Sequence, residues 1–216
     1  MKAIHLTAYG NPAQSLKMVE VSEPNAPSAS EALVRMEYAP VNYSDLLLAN
    51  GVYFLNPKLP SVIGGEGAGI VEAIGPGVTS VKVGDRVTVP FRTFTWSEKV
   101  LAPARGLFVV PPSIDARTAS MLNINPTTAV LLLDEFVKLK PKEWIVINAA
   151  NSQIARCLIA IAQSRDLKIA GIVRRSELIL GVEKLGADFV GVESPELPKQ
   201  IQTATGGTQY PSALMP

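Results

Sequence analysis

From Met1 to about Ile114, apolar residues recur in short alternating or continuous runs: AIHLTAY, LKMVEV, EALVRMEYAPV, AGIVEAI, RVTVPF and SEKVLA. Alternation with period two puts successive side chains on opposite faces of a strand, and stretches such as SEPNAPS and GPGVTS supply turn chemistry between the runs. The pattern predicts a compact β-rich domain over residues 1–115, barrel-like or sandwich-like. One helix interrupts it, where Asn42 or Ser44 can cap a turn through SDLLLAN that ends at Gly51.

Beyond Asp115 the period changes. DARTASMLNIN and PTTAVLLLDEFVKL have helical spacing, with Pro126 in the first turn of the second helix and Lys138 and Lys140 near its C-terminal end. A strand at Trp144–Ala149, a helix at Ser152–Gln163, a strand at Lys168–Val173, a helix at Ser176–Leu185 and a short apolar run, FVGV, follow. Strands alternating with helices predict parallel pairing through right-handed crossovers. Residues 116–216 therefore read as an incomplete α/β domain of the dinucleotide-binding (Rossmann) type, with about three parallel strands where the full fold has six. The last stretch, TGGTQYPSALMP, carries neither a strand nor a helix period.

Composition narrows the partners. The chain is 47% hydrophobic with a formal charge of +1, enough for a buried core but without a basic stripe for nucleic acid or a polybasic membrane anchor. Nowhere do 18 apolar residues run together, so no membrane span is expected. Small molecules are the expected partners. Cys157 is the only cysteine, which rules out an internal disulfide and fits a reducing compartment, cytoplasmic or, had a transit peptide preceded Met1, mitochondrial. His5 is the only histidine and has no partner at ligand spacing, so no metal site is expected.

The turn after the Trp144 strand reads Ala149-Ala150-Asn151-Ser152-Gln153-Ile154-Ala155. In dinucleotide folds this turn is glycine-rich, so that the backbone can approach a pyrophosphate held by free amides at the helix N-terminus. Here alanines keep the small-residue requirement in part, and Gln153 stands where a glycine is usual, so a positive φ there would be strained. The next strand ends in Arg174-Arg175, with no acid before Glu177. Arginine at that place can pair with a 2′-phosphate, which favours NADPH; the alternative is a pair of arginines closing a solvent-facing turn. Around the short helix of the β-rich part, Asn42, Tyr43, Ser44, Asp45 and Tyr53 gather polar and phenolic groups. Tyr53 is a candidate proton donor against the plainer role of a packing tyrosine. The run Gly64-Gly65-Glu66-Gly67-Ala68-Gly69 lacks the lysine of a phosphate loop and is followed by a strand, so tight turns and close packing are expected there. Cys157 lies on the apolar side of its helix and reads as a small hydrophobe.

Four segments together, PVNYSDLLLANGVY, LPSVIGGEGAGIVEAIGPGVTSVKVGDRV, MLNINPTTAVLLLDEF and WIVINAANSQIAR with GIVRR, resemble the zinc-free branch of the medium-chain dehydrogenase/reductase superfamily. Within it they are most similar to NADPH-dependent trans-2-enoyl-thioester reductases and more loosely to quinone oxidoreductases. The resemblance implies a GroES-like catalytic domain followed by a Rossmann domain, and reduction of the C=C bond of an enoyl thioester. Tyr53 would be the proton donor. Asn42, Asn125 and Thr128 would contact the cofactor, Asn151, Ser152, Gln153 and Ile154 its pyrophosphate, and Arg174 and Arg175 its 2′-phosphate. Alternatives of the same ancestry are an NADPH quinone oxidoreductase and a shortened, non-catalytic product with partial cofactor binding. Relatives are commonly homodimers. The segment FRTFTWSEKV departs from the family in being shorter than its usual glycine-containing loop, and the resemblance stops near Gly207, which implies a C-terminally shortened member.

Overall fold

The computed structural model describes residues 1–136 and 138–207, and the backbone of 213 and 214. The chain divides into two compact units, Met1–Ile124 and Asn125–Pro216.

The first unit runs β1 (Lys2–Leu6), α1 (Pro12–Ser15), β2 (Leu16–Glu20), β3 (Glu31–Tyr38), α2 (Tyr43–Asn50), β4 (Ser61–Val62), β5 (Ala68–Ile74), β6 (Arg86–Thr88), β7 (Lys99–Pro103), β8 (Phe108–Val109) and α3 (Ala116–Ala119). Five antiparallel strands form one sheet in the order β7-β3-β5-β6-β8, and β2-β1-β4 form a smaller one. The alternation read from the sequence is realised here: Ala32, Val34, Val71, Val87, Val100 and Ala102 all point into one core. Gly69 lets β3 and β5 approach, since a Cβ there would stand 2.2 Å from the Arg35 carbonyl oxygen.

The second unit runs α4 (Asn125–Asp134), β9 (Trp144–Ile147), α5 (Gln153–Ser164), β10 (Lys168–Val173), α6 (Ile179–Glu183), β11 (Phe189–Val192), α7 (Leu197–Ala204) and β12 (Ala213–Leu214). Its sheet has the order β11-β10-β9-β12 and is parallel throughout. Ile145, Ile147 and Ile169 of the strands meet Leu158, Ile159 and Ala162 of α5, and Ala129 and Leu133 of α4 extend the same core. Cys157 packs partly buried against it. The Arg165 guanidinium donates to both oxygens of the Asp134 carboxylate, joining the ends of α5 and α4 on the exposed side, where such a pair adds little stability.

Several elements differ from the sequence reading. DARTASMLNIN is helical only over Ala116–Ala119. The following residues give their polar groups to the sheet side instead: Thr88 donates to Asn123, Asn123 donates to the Val89 carbonyl, and the Ile124 amide donates to Glu66. Because α3 packs on β3, β5 and β6, it stays with the first unit, and the division falls at Ile124 rather than at residue 115. PTTAVLLLDEFVKL ends as a helix at Asp134, which leaves Lys138 and Lys140 outside; the Lys140 amide donates to Glu143 at 2.7 Å to open the turn into β9. The region Ser176–Leu185 splits into a 3-10 turn, Ser176–Leu178, and α6. The tail read as structureless contributes Ala213 and Leu214, which pair in parallel with Val146 and Ile147.

Candidate functional site

In the first unit, α2 organises the polar groups. Asn42 begins it: its backbone amide donates to the Asp45 carboxylate at 2.8 Å, closing the first turn, and Gly51 ends it with φ at 77°. The Asn42 side-chain amide reaches the other way and donates to Glu66 at 3.1 Å. Glu66, fully buried, also accepts from the Ile124 amide at 2.9 Å. Burial pushes the carboxyls of both Glu66 and Asp45 above the usual range, against hydrogen bonds that pull them down, and Asp45 adds a like-charge push on Glu66. The glycine-rich run thus presents a buried acid tying α2 to the segment that ends the unit.

Tyr53 follows α2 and packs half-buried against the cluster of Leu6, Leu48 and Ile63, its ring centroid 4.5 Å from that of Phe54. It lines a narrow slot with Ser44, Asp45, Phe91, Arg92 and Phe94. The free space is about 10 Å³, roughly one water molecule. Arg92 and Phe94 hold positive φ angles, 74° and 57°.

In the second unit, a cavity of about 550 Å³ opens at the N-terminal end of α5, lined by Asn148, Ala149, Asn151, Ser152, Arg174 and Glu193 among others. Ser152 caps α5, its hydroxyl accepting from the Ala155 amide at 3.2 Å. The Asn148 Oδ1 is buried and has no hydrogen-bond partner among the described residues. Gln153 and Ile154 are the first helical residues, so the feared strain at Gln153 does not arise; the positive φ sits instead at Ala149, 43°. Ala150 is buried against Gly171, where a Cβ would come within 2.9 Å of the alanine methyl, so a strand glycine supplies the room the turn lacks. Relieving the left-handed alanine, which costs roughly 1–2 kcal/mol, against the entropy of an added glycine should make Ala149→Gly stabilising by up to about 1 kcal/mol. A lower urea midpoint for the variant would contradict this.

Of the predicted cofactor residues, Asn151, Ser152 and Arg174 come together on this cavity. Arg175 turns to Glu177, an exposed ion pair of 3.1 Å. Asn125 and Thr128 lie on the first turns of α4, Asn125 nearly buried. Sequence reasoning missed Asn148 and Glu193 in the second unit and the structural role of Glu66 in the first. The only local signal for Glu66 was a lone acid among glycines. The cavity offers what the phosphate and ribose groups of a dinucleotide need: free amides at a twelve-residue helix's N-terminus, an uncommitted amide oxygen and a guanidinium without an ion pair among the described residues. Among the described residues no group of three or more potential ligands stands together to hold a metal, and no helix is long and apolar enough to cross a membrane.

Comparison with known proteins matches residues 28–112 to the alcohol dehydrogenase GroES-like domain. The mitochondrial enoyl-[acyl-carrier-protein] reductase of Dictyostelium discoideum is 33% identical over 195 residues, 88% of this chain and 56% of that protein. Among solved structures, a quinone oxidoreductase of Pseudomonas syringae superposes with a TM-score of 0.86 at 31% identity, over 97% of this chain and 64% of the other. The quinone oxidoreductase of Escherichia coli complexed with NADPH gives 0.88 at 26% identity, over 97% and 64%. The chain spans little more than half the length of the curated relative. A GroES-like sheet followed by parallel Rossmann strands, with these relatives along nearly all of its length, makes this chain a member of the medium-chain dehydrogenase/reductase superfamily.

Proposed function

We propose that the chain acts as an NADPH-dependent oxidoreductase that reduces the C=C bond of 2-enoyl thioesters, in a mitochondrial or cytoplasmic setting. The observation that carries the cofactor preference is Arg174, a guanidinium on the wall of the α5 cavity where a 2′-phosphate would need a cation. The thioester preference rests on the likeness to enoyl reductases. Asn151 and Ser152 hold the pyrophosphate with the α5 amides, and Gln153 and Ile154 present those amides. Asn42, Asn125 and Thr128 complete the cofactor contacts, Asn42 while it stays bonded to Glu66. When bound, NADPH supplies a hydride to the β-carbon of the substrate. Tyr53 donates the phenolic proton to the α-carbon, so the double bond becomes single and the thioester carbonyl is restored.

The test is fluorescence titration of the chain with both nucleotides. NADPH should bind at least about tenfold tighter than NADH, and Arg174→Ala should erase that margin while sparing NADH, as expected for loss of one charge-assisted contact. Equal affinities in the unaltered protein would overturn the cofactor assignment. A second reading, a quinone oxidoreductase, draws on the structural likeness to the Pseudomonas syringae and Escherichia coli proteins. Oxidation of NADPH by quinones but not by crotonyl thioesters would favour it.

A further inference from the structure

The segment Phe91–Thr95 holds two side-chain-bearing residues in left-handed backbone, Arg92 at φ 74° and Phe94 at φ 57°. Glycine would relieve both, and such strain is kept where the surrounding structure has a use for the side chain. Both side chains line the Tyr53 slot, with Phe91 beside them. Phe91 and Phe54 stand 6.5 Å apart, and Phe54 lies against Tyr53, so the slot is walled by aromatic rings. Three ionisable groups line it: Tyr53, Asp45 and Arg92. Asp45 is buried and takes hydrogen bonds from the Asn42 and Gly65 amides, and its burial opposes ionisation. Arg92 enters no ion pair among the described residues. An uncommitted cation therefore stands at the solvent-exposed rim of a slot with room for about one water, on the same wall as Tyr53.

We propose that Arg92 is a catalytic residue that reaches from the rim of the slot to stabilise the negative charge developing on the carbonyl oxygen of the substrate. This rests on the reduction proposed above. Addition of hydride to the β-carbon moves the C=C electron pair into the carbonyl and leaves an enolate oxygen. The Arg92 guanidinium hydrogen-bonds that oxygen until the Tyr53 proton reaches the α-carbon and the carbonyl re-forms. Such a donor acts on charge present in the transition state and absent from the ground state.

The inference is tested without turnover by acetoacetyl-pantetheine, a thioester that ionises to an enolate with its own near-ultraviolet absorption. Titrated against the chain, the bound ligand should enolise at a pH about one unit below that of the free ligand, a roughly tenfold preference for the anion. Arg92→Gln should abolish the shift, and Arg92→Lys should keep part of it. Arg92→Gly should abolish it as well and raise Tm by about 2 °C, because it also removes the left-handed arginine; an unchanged or lower Tm removes the strain argument. Binding with an enolate fraction that ignores the residue at position 92 overturns the role of Arg92 and leaves the thioester reading standing. Failure of the ligand to bind at all overturns the thioester reading and this inference with it.

Discussion

Tyr53→Phe is expected to lower turnover of a crotonyl thioester by about 10²–10⁴-fold, the range for loss of a positioned proton donor, while the affinity for NADPH is unchanged. The substitution deletes one oxygen and keeps the ring that packs on Phe54 and on the Leu6, Leu48 and Ile63 cluster. The fold therefore has no reason to respond, and a stopped-flow record of NADPH oxidation reads the chemistry alone. Undiminished turnover would take Tyr53 out of the reaction. A parallel loss of NADPH affinity would show that the variant had damaged more than the proton transfer.

The largest effect on stability is expected from Glu66→Ala, about 3 kcal/mol, because truncation leaves the Asn42 side-chain amide and the Ile124 amide facing a void with no acceptor. Urea denaturation measures it, and a loss below about 1 kcal/mol, the size of one ordinary hydrogen bond, would mean that water replaces the carboxylate. Glu66→Gln separates charge from shape. Burial raises the carboxyl pKa of Glu66 in the folded chain, so the folded state holds this proton more tightly than the unfolded state. Its contribution is then full below about pH 4, where the unfolded carboxyl titrates, and is lost as pH rises through the folded pKa. Stability of the unaltered chain should therefore fall relative to the glutamine variant as pH rises above about 4, until the folded carboxyl has ionised. Parallel pH profiles for the two would show that Glu66 folds ionised at no electrostatic cost. Asp45, raised for the same reason, adds to the slope in both proteins.

The strands of the first unit were legible because burial alternates along β3 and β7, and the mixture of Val71, Val87 and Val100 with polar neighbours states which face is inside, whereas β10 and β11 of the second unit were legible as continuous apolar runs with consecutive buried residues. Helix ends were less so. The end of α3 is decided by Asn123 and Ile124 bonding to Thr88, Val89 and Glu66, partners far away in sequence that no local pattern announces. The nucleotide turn was legible as a strand, a cap and a helix, with Ser152 bonding as its position before α5 suggests. Its strain was misplaced, because the tight step falls at Ala149, before the cap, and Gly171 on the neighbouring strand makes the space that turn glycines would otherwise make. Arg174 and Arg175 are indistinguishable in sequence; Glu177 tells them apart by pairing with Arg175. The departure in FRTFTWSEKV was visible as a length difference, and only the backbone angles reveal that Arg92 and Phe94 occupy conformations suited to glycine.

The parallel sheet of the second unit also has a temporal meaning. Val146 faces Ala170 and Ala170 faces Phe189, so each of these pairings closes over a single intervening helix. In the first unit Arg35 must find Lys99, and Ala32 must find Ala102, across most of the domain's length. Since loop closure must be achieved before a distant pairing is rewarded, the β9-β10-β11 core is set to assemble early and the large antiparallel sheet late. Ala213 and Leu214, which join β9 from the far end of the second unit, belong with the late events. A chain refolding from the denatured state would thus hold a nearly formed parallel core in its second unit while the five-stranded sheet of the first was still being closed.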